Sequence, residues 1–355
     1  MESDAIIYVA GHTGLVGSAI LKSLQKQGFS HIITKSSSEL DLRNQQEVTN
    51  FFHDTKPEYV FLAAAKVGGI YANAHYPADF ISDNLAIALN IINASYTYKV
   101  KKLVNLGSSC IYPKYCPQPI KEEYLLTGAL EPTNEPYALA KIAAISLCTS
   151  FHKQYHCNFI SLMPTNLYGN QDSFGFHNSH VLPALIRKFI LAKMLQDNDY
   201  ESVKKDLLLS NDIPHDMNHD EIDIFLTNLG IQKNSISLWG SGNACREFLH
   251  ADDCADAAVY FMNNIDAEQA GICINIGTGI DCSIKDLAEL IAKKVDYKGH
   301  ILFDKNKPDG TPKKLLSVHK AISLGWQSAI SLEKGIESVI MHYQYSVHHH
   351  LPLRY

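Results

Sequence analysis

YVAGHTGLVGSAI, residues 8–20, runs from an apolar segment through three spaced glycines into a second segment whose apolar residues recur at helical spacing. Read as strand, turn and helix, it puts Gly11, Gly14 and Gly17 where the helix begins. Gly11 and Gly14 let the backbone turn tightly and come close to a pyrophosphate at the helix N-terminus, and Gly17 lets the helix pack near the sheet. The competing reading is a turn that needs glycine only for positive φ. The flanking strand and helix favour the first, which makes Gly11, His12, Thr13, Gly14, Leu15, Val16 and Gly17 the candidate dinucleotide-binding loop.

The same alternation continues for about 170 residues. Apolar runs predict strands at Ile6–Ala10, His31–Thr34, Tyr59–Ala63, Leu103–Gly107 and Phe159–Met163, and amphipathic segments predict helices at Leu15–Gln27, Gln45–Thr55, Ala78–Lys99 and Pro136–Gln154. This is the pattern of a Rossmann-like, doubly wound parallel sheet whose ligands bind at the carboxyl ends of its strands. Beyond residue 170 the alternation breaks. A polar loop leads into a helix with Leu182, Leu185, Ile186 and Phe189 on one face, and residues 195–236 form a charged, weakly periodic insert. ICINIGTG, residues 272–279, predicts a strand returning to the first sheet, and Ser283 with Asp286 predicts a helix start. The expected organisation is α/β: residues 1–170 as the dinucleotide domain with a returning segment near 245–280, and 171–244 with 281–345 as a smaller, discontinuous substrate-binding lobe. The closing HHHLPLRY is expected to be a frayed tail.

Composition excludes several classes. The 355 residues carry a formal net charge of −6, which argues against nucleic acid as a partner. No run of 18 apolar residues predicts a membrane span, and the start has no room for a signal peptide. Eight cysteines are scattered without a CxxC pair, so neither a metal framework nor a disulfide framework is expected, and a cytoplasmic protein is. The acidic, histidine-bearing stretch SNDIPHDMNHDEID reads as solvated surface ahead of a metal site.

Two further stretches bear chemistry. At the end of the second strand, ITKSSSELDL offers Lys35 and the hydroxyls of Ser36–Ser38 with no immediate acid, which leans to NADP through its 2′-phosphate. NEPYALAKIAA places Tyr137 and Lys141 four apart on one helix face, a cation beside a phenol whose acidity it would increase. Tyr98/Lys102 and Tyr200/Lys204 share the spacing, at a helix end and in the polar insert, and read as solvated surface. NLGSSCIYPK, residues 105–114, ends a buried strand in small polar side chains. Alternation along an extended chain would put Ser108 and Cys110 on one face and Ser109 on the other.

A glycine loop, a strand-end serine and Tyr-x-x-x-Lys together resemble the extended short-chain dehydrogenase/reductase superfamily. GHTGLVGSAI, LAAAKVGGI, LGSSCIYPK, LEPTNEPYALAKI, MPTNLYG, NSHVLPALIRK, WGSGNACREFLHADD and KPDGTPKKLL resemble the GDP-L-fucose synthase family along nearly the whole chain. The resemblance implies epimerisation of GDP-4-keto-6-deoxy-D-mannose at C3 and C5, then reduction of C4 by NADPH. It implies Cys110 as base and His180 as acid, Tyr137 as proton donor to the C4 oxygen, Lys141 holding the nicotinamide ribose, and Ser108 on the carbonyl. It further implies Leu106, Gly107, Ser108, Ser109, Lys141, Pro164, Thr165, Asn166, Leu167 and His180 at the cofactor, and Lys188, Trp239, Arg246 and Asp309 on the GDP-sugar. Where that family often has arginines for the 2′-phosphate, this chain has Thr13 and the Lys35–Ser38 segment. The alternatives are a sister enzyme making another deoxysugar such as colitose, and a non-catalytic dinucleotide sensor. A homodimer through the Ala78–Lys99 and Pro136–Gln154 helices is the superfamily habit.

Overall fold

Most strands of the large sheet are buried on both faces because both faces are covered. In β1 (Ile7–Ala10), Ile7 and Val9 enter one core with Phe61, Val104, Leu106, Ile160 and Leu162; Tyr8 and Ala10 enter another with Val60, Leu62 and Leu103. The first core is closed by α1 (Leu15–Lys26) and the Ala251–Asn264 helix, the second by α2 (Gln45–Thr55) and the Pro77–Thr97 and Glu135–Tyr155 helices. Phe61 is fully buried, and truncating such a ring to alanine costs about 3–5 kcal/mol.

The computed structural model describes residues 1–355 apart from His177, Asn178, His215 and Pro308, and apart from the side chains of Ile70, Tyr71 and Ala74. The large sheet has six parallel strands in the order β2 (Ile32–Ile33), β1, β3 (Tyr59–Leu62), β4 (Lys102–Leu106), β5 (Phe159–Pro164) and Ile274–Ile276. The chain leaves β1 for one side and returns to the other at β3. The switch point therefore lies between β1 and β3, where Gly11 follows one strand and Ala63 and Ala64 the other. The returning strand pairs Leu162 with Ile274, as ICINIGTG predicts.

The chain divides into two units: residues 1–167 with 247–280 and 315–329, and residues 168–246 with 281–314 and 330–355. Residues 315–329, expected in the substrate lobe, fall in the first unit. They join it through Leu316, whose amide donates to Glu247 at 2.9 Å, and Trp326, whose indole N–H donates to Asp256 at 2.9 Å. Lys102, read from the sequence as solvated, is buried there, and its ammonium donates to the Phe261 carbonyl at 2.9 Å.

The second unit is mostly helical, with a parallel strand pair, Ser235–Trp239 and His300–Asp304. The polar insert is more ordered than its weak periodicity suggests. It forms helices Tyr200–Leu209, capped by Asp199, and His219–Asn228, opened by an Asn218/Glu221 capping box. Arg187 organises this unit: fully buried, it donates to Asp206 at 2.8 Å, Asp212 at 2.8 Å and the Phe174 carbonyl at 3.2 Å. Tyr343 donates to the same Asp206. The last residues are not frayed. The Phe174 amide donates to the Arg354 carbonyl at 2.7 Å, and the Tyr355 ring covers the Arg187 guanidinium at 4.7 Å.

Candidate active site

The glycine loop is built for close approach. Gly11 holds φ +83°, and a Cβ there would fall 2.7 Å from the Ala64 backbone. A Cβ on Gly17 would fall 2.0 Å from the Gly11 carbonyl oxygen, so α1 touches its own loop. Gly14 caps α1 with no side-chain partner for its free amides, and the first turn carries no acid. That leaves a positive helix end for an anion, and the buried, unpartnered Nδ1 of His12 lies in the same loop. These features fit a dinucleotide pyrophosphate.

At the end of β2 the serines form a closed turn. Glu39 accepts from the Ser36 amide at 2.8 Å and its hydroxyl at 2.7 Å, and pairs with Lys35 at 3.4 Å. The Ser36 hydrogen bonds hold the Glu39 carboxyl at about 2. The groups expected to meet a 2′-phosphate are thus engaged by a carboxylate the sequence reading passed over.

Beyond β4 the backbone does not stay extended. Ser108 is extended (φ −162°), but Ser109–Ile111 is a turn of 3₁₀-helix whose Cys110 amide donates to the Ser108 hydroxyl at 3.3 Å. Strand alternation therefore fails at Ser109, which is buried with Cys110 and Ile111. The turn still brings Ser108 and Cys110 to one phenol: Tyr137 hydrogen-bonds Ser108 and feels the charge of Cys110. Gly107 permits the turn's close packing, since a Cβ there would meet Met163 at 2.2 Å.

Tyr137 and Lys141 stack as their spacing requires, with the ammonium 5.8 Å from the ring centroid and donating to the Leu106 carbonyl at 2.7 Å. Burial, then the Cys110 charge, pushes the Tyr137 phenol well above its ordinary value. Burial also pulls the Lys141 ammonium down to about 8, against the opposing pull of Cys110. Desolvation exceeds pairing here because each favours its neutral form.

Past β5, Thr165 and Asn166 point back to one carbonyl: the Thr165 hydroxyl and the Asn166 amide donate to Glu247 O at 3.3 and 2.8 Å. The Glu247 carboxylate is fully buried and accepts amides from Thr278 and Gly279, each at 2.7 Å, and from Leu316 at 2.9 Å. Pro164 ends β5, and Leu167 packs against the first core. Glu247 was missed because a lone acid in a strand gives no periodic signal.

In the second unit His180 caps the Val181–Gln196 helix, and its Nδ1 lies 4.0 Å from Asp172. Asp172 raises the imidazole pKa above its ordinary value, against the cost of burial. Three of the four residues expected on the sugar nucleotide come together. Asp309 accepts from the Ser241 amide at 2.8 Å, two residues beyond Trp239, and a Cβ on Gly310 would meet the Arg246 guanidinium at 2.8 Å. Arg246 donates to the carbonyls of Cys245 and Thr311 at 2.7 and 2.5 Å. Trp239 is 72% exposed with the Lys307 ammonium 5.3 Å from its ring, so one indole face is free to stack. Lys188 is turned elsewhere, donating to Leu229 O at 2.6 Å. Among the described residues no three His, Cys, Asp or Glu are grouped as metal ligands; His215 of the insert lies outside them.

Residues 7–277 match the NAD dependent epimerase/dehydratase family. GDP-L-fucose synthase 1 of Arabidopsis thaliana is 47% identical over 94% of this chain and 92% of its own. GDP-L-fucose synthase of Escherichia coli K12 is 45% identical over 94% of each. Among solved structures, a GDP-mannoheptose C4 reductase from Campylobacter jejuni with NADP bound is 43% identical, covers 97% of this chain and 99% of that one, and superposes with a TM-score of 0.87. The chain belongs to the NAD dependent epimerase/dehydratase family and, within it, to the GDP-L-fucose synthases.

Proposed function

We propose that this chain converts GDP-4-keto-6-deoxy-D-mannose to GDP-L-fucose, inverting C3 and C5 and then reducing the C4 ketone. NADPH supplies the hydride when bound. Its pyrophosphate would rest on the Gly11–Gly17 loop, its 2′-phosphate against Lys35 and Ser36–Ser38 after Glu39 gives way, and its nicotinamide end near Pro164–Leu167, Ser108, Ser109 and Lys141. Protons at C3 and C5 are acidic because both carbons flank the ketone. Cys110 removes them, Ser108 and Tyr137 hydrogen-bond the developing enolate oxygen, and His180 returns a proton to the opposite face. In the second step Tyr137, already neutral through burial, gives its proton to the C4 oxygen. Trp239, Arg246 and Asp309 hold the GDP portion, the arginine suiting a pyrophosphate and the indole a stacking base, and Lys188 would join them only on leaving Leu229 O.

The observation that carries this reading is the thiol of Cys110, buried in a turn packed against the helix that bears Tyr137 and Lys141. A ketone reductase needs the phenol and the amine; a base beside them is what an epimerase adds. Incubation of the 4-keto sugar with NADPH in D₂O should give GDP-L-fucose labelled at C3 and C5. Reduced sugar without label would overturn the epimerase half. That outcome would favour a second reading, a C4 reductase alone, which the identity to the mannoheptose C4 reductase supports.

The functional unit is a homodimer in this proposal. Leu85, Leu89 and Tyr96 lie on one face of the Pro77–Thr97 helix, each more than a third exposed, beside Leu139 and Tyr155 of the neighbouring helix. Light scattering should show two chains, and Leu89→Asp should give one. No described helix is long and apolar enough to cross a membrane.

A further inference from the structure

We propose that Asp172 is the positioning residue for His180: its buried carboxylate fixes the imidazole's orientation and keeps it protonated between turnovers. The inference rests on the reading of His180 as the epimerisation acid. Three features of the second unit carry it.

First, Asp172 is an expensive residue to keep. Its side chain is 6% exposed, and a buried carboxylate stays charged only with partners. One oxygen accepts the Ser173 amide at 2.8 Å; the other, Oδ2, is buried with no hydrogen-bond partner among the described residues. The His180 imidazole lies 4.0 Å from Oδ1. A catalytic hydrogen bond is often that long without substrate and shortens when the site fills.

Second, Asp172 is the charged group that acts on the imidazole. His180 starts a helix, whose positive end disfavours an imidazolium, and the first turn of that helix carries no acid. The cations one turn further on are occupied, Arg187 by Asp206 and Asp212 and Lys188 by Leu229 O. The carboxylate therefore has to outweigh both the helix end and burial to hold a proton on the ring.

Third, the loop bearing Asp172 is held at several points. Arg354 pairs with Ser173 in a parallel bridge, its carbonyl accepts the Phe174 amide at 2.7 Å, and its guanidinium donates to Gln171 O at 3.3 Å. The Phe174 carbonyl is in turn bound by the buried Arg187 at 3.2 Å. A tethered carboxylate facing a half-exposed ring is the arrangement of an orienting group. No sequence pattern hints at it, because the two residues sit eight apart in an irregular loop.

The test is the titration of the His180 imidazole by NMR in the full-length protein, its signal assigned with His180→Gln. Wild-type His180 should titrate above the ordinary histidine value of about 6.5, and Asp172→Asn should lower it. Asp172→Asn should also slow C3/C5 exchange in D₂O about 10-fold and move its alkaline fall to lower pH, with Asp172→Glu restoring part of both. Oxidation of GDP-L-fucose by NADP⁺ should fall less than exchange does, and Asp172→Asn should add nothing to His180→Gln. A wild-type imidazole titrating at or below the ordinary value overturns the proposal without any variant, as does an unchanged titration in Asp172→Asn. Wild-type enzyme that exchanges no ring protons overturns the epimerase reading itself, whatever the titration shows.

Discussion

Lys141 in the first unit and His180 in the second are both cationic side chains beside a candidate proton partner, and they shift in opposite directions. Lys141 is 7% exposed, faces a neutral phenol and a carbonyl, and is pulled down to about 8 by burial. His180 faces a buried carboxylate and is pushed up. The difference is which effect wins. At Lys141 burial exceeds the upward pull of Cys110 and favours the neutral form, whereas at the half-exposed His180 the Asp172 carboxylate wins and favours the charged one. The two outcomes suit the two proposed tasks. A phenol that must give its proton to an alkoxide should begin protonated, and an imidazole that must protonate carbon should begin as imidazolium.

The largest effect should come from separating the halves of the reaction. Tyr137→Phe should lose reduction by about 10²–10⁴-fold while C3/C5 exchange falls less, and Cys110→Ser should do the reverse. Deuterium wash-in reads the first half, and NADPH formation from GDP-L-fucose and NADP⁺ reads the second. Normal exchange in Cys110→Ser would show that the thiol is packing and not a base.

A smaller effect tests the burial of Lys141. Below pH 8 the folded protein holds Lys141 charged in a site that disfavours charge, and that cost is relieved as pH climbs from about 8 toward 10.5. A shift of that size corresponds to about 3 kcal/mol, from which about 1 kcal/mol is offset by the hydrogen bond to Leu106 O. Lys141→Met should therefore be more stable than wild type by about 2 kcal/mol at neutral pH, with the gap closing in alkali, while reduction collapses. Denaturant unfolding at several pH values measures it. A variant less stable than wild type throughout would mean that the Leu106 contact outweighs desolvation.

How much of this was legible follows from where each partner sits in the chain. Gly11 and Gly17 reject a Cβ for reasons set within one loop, and Tyr137 and Lys141 meet because helical residues four apart always do. Such local geometry survives in sequence. Ser109 shows its limit: alternation presumes an extended chain, and the Ser108 hydroxyl captures the Cys110 amide and winds a turn instead. The second unit defeats pattern reading because its determinants are remote. Arg187 finds partners at residues 174, 206 and 212, with the ring of residue 355 beneath it, and no period connects them. Lys35 and Ser36–Ser38 read as an anion-seeking group, but Glu39, one residue on, already holds Lys35 and Ser36.

The mildest perturbation probes how firmly the countercharge on His180 is held. Tyr355 covers the Arg187 guanidinium at 4.7 Å, and Arg187 binds the loop that carries Asp172 through Phe174 O. Removing the ring by Tyr355→Ala forfeits a desolvated cation–π contact worth about 1–2 kcal/mol. Arg187 keeps both carboxylates and Phe176 at 3.9 Å on its other side, so the unit should stay folded. What should change is the precision of the loop: C3/C5 exchange should slow by no more than about 30-fold, since the lost contact is worth about one and a half decades at most in rate. Oxidation of GDP-L-fucose should not respond. Equal loss in both half-reactions would mean that Tyr355 supports the whole unit, and the contrast between a buried amine and a paired imidazole would then rest on Asp172 alone.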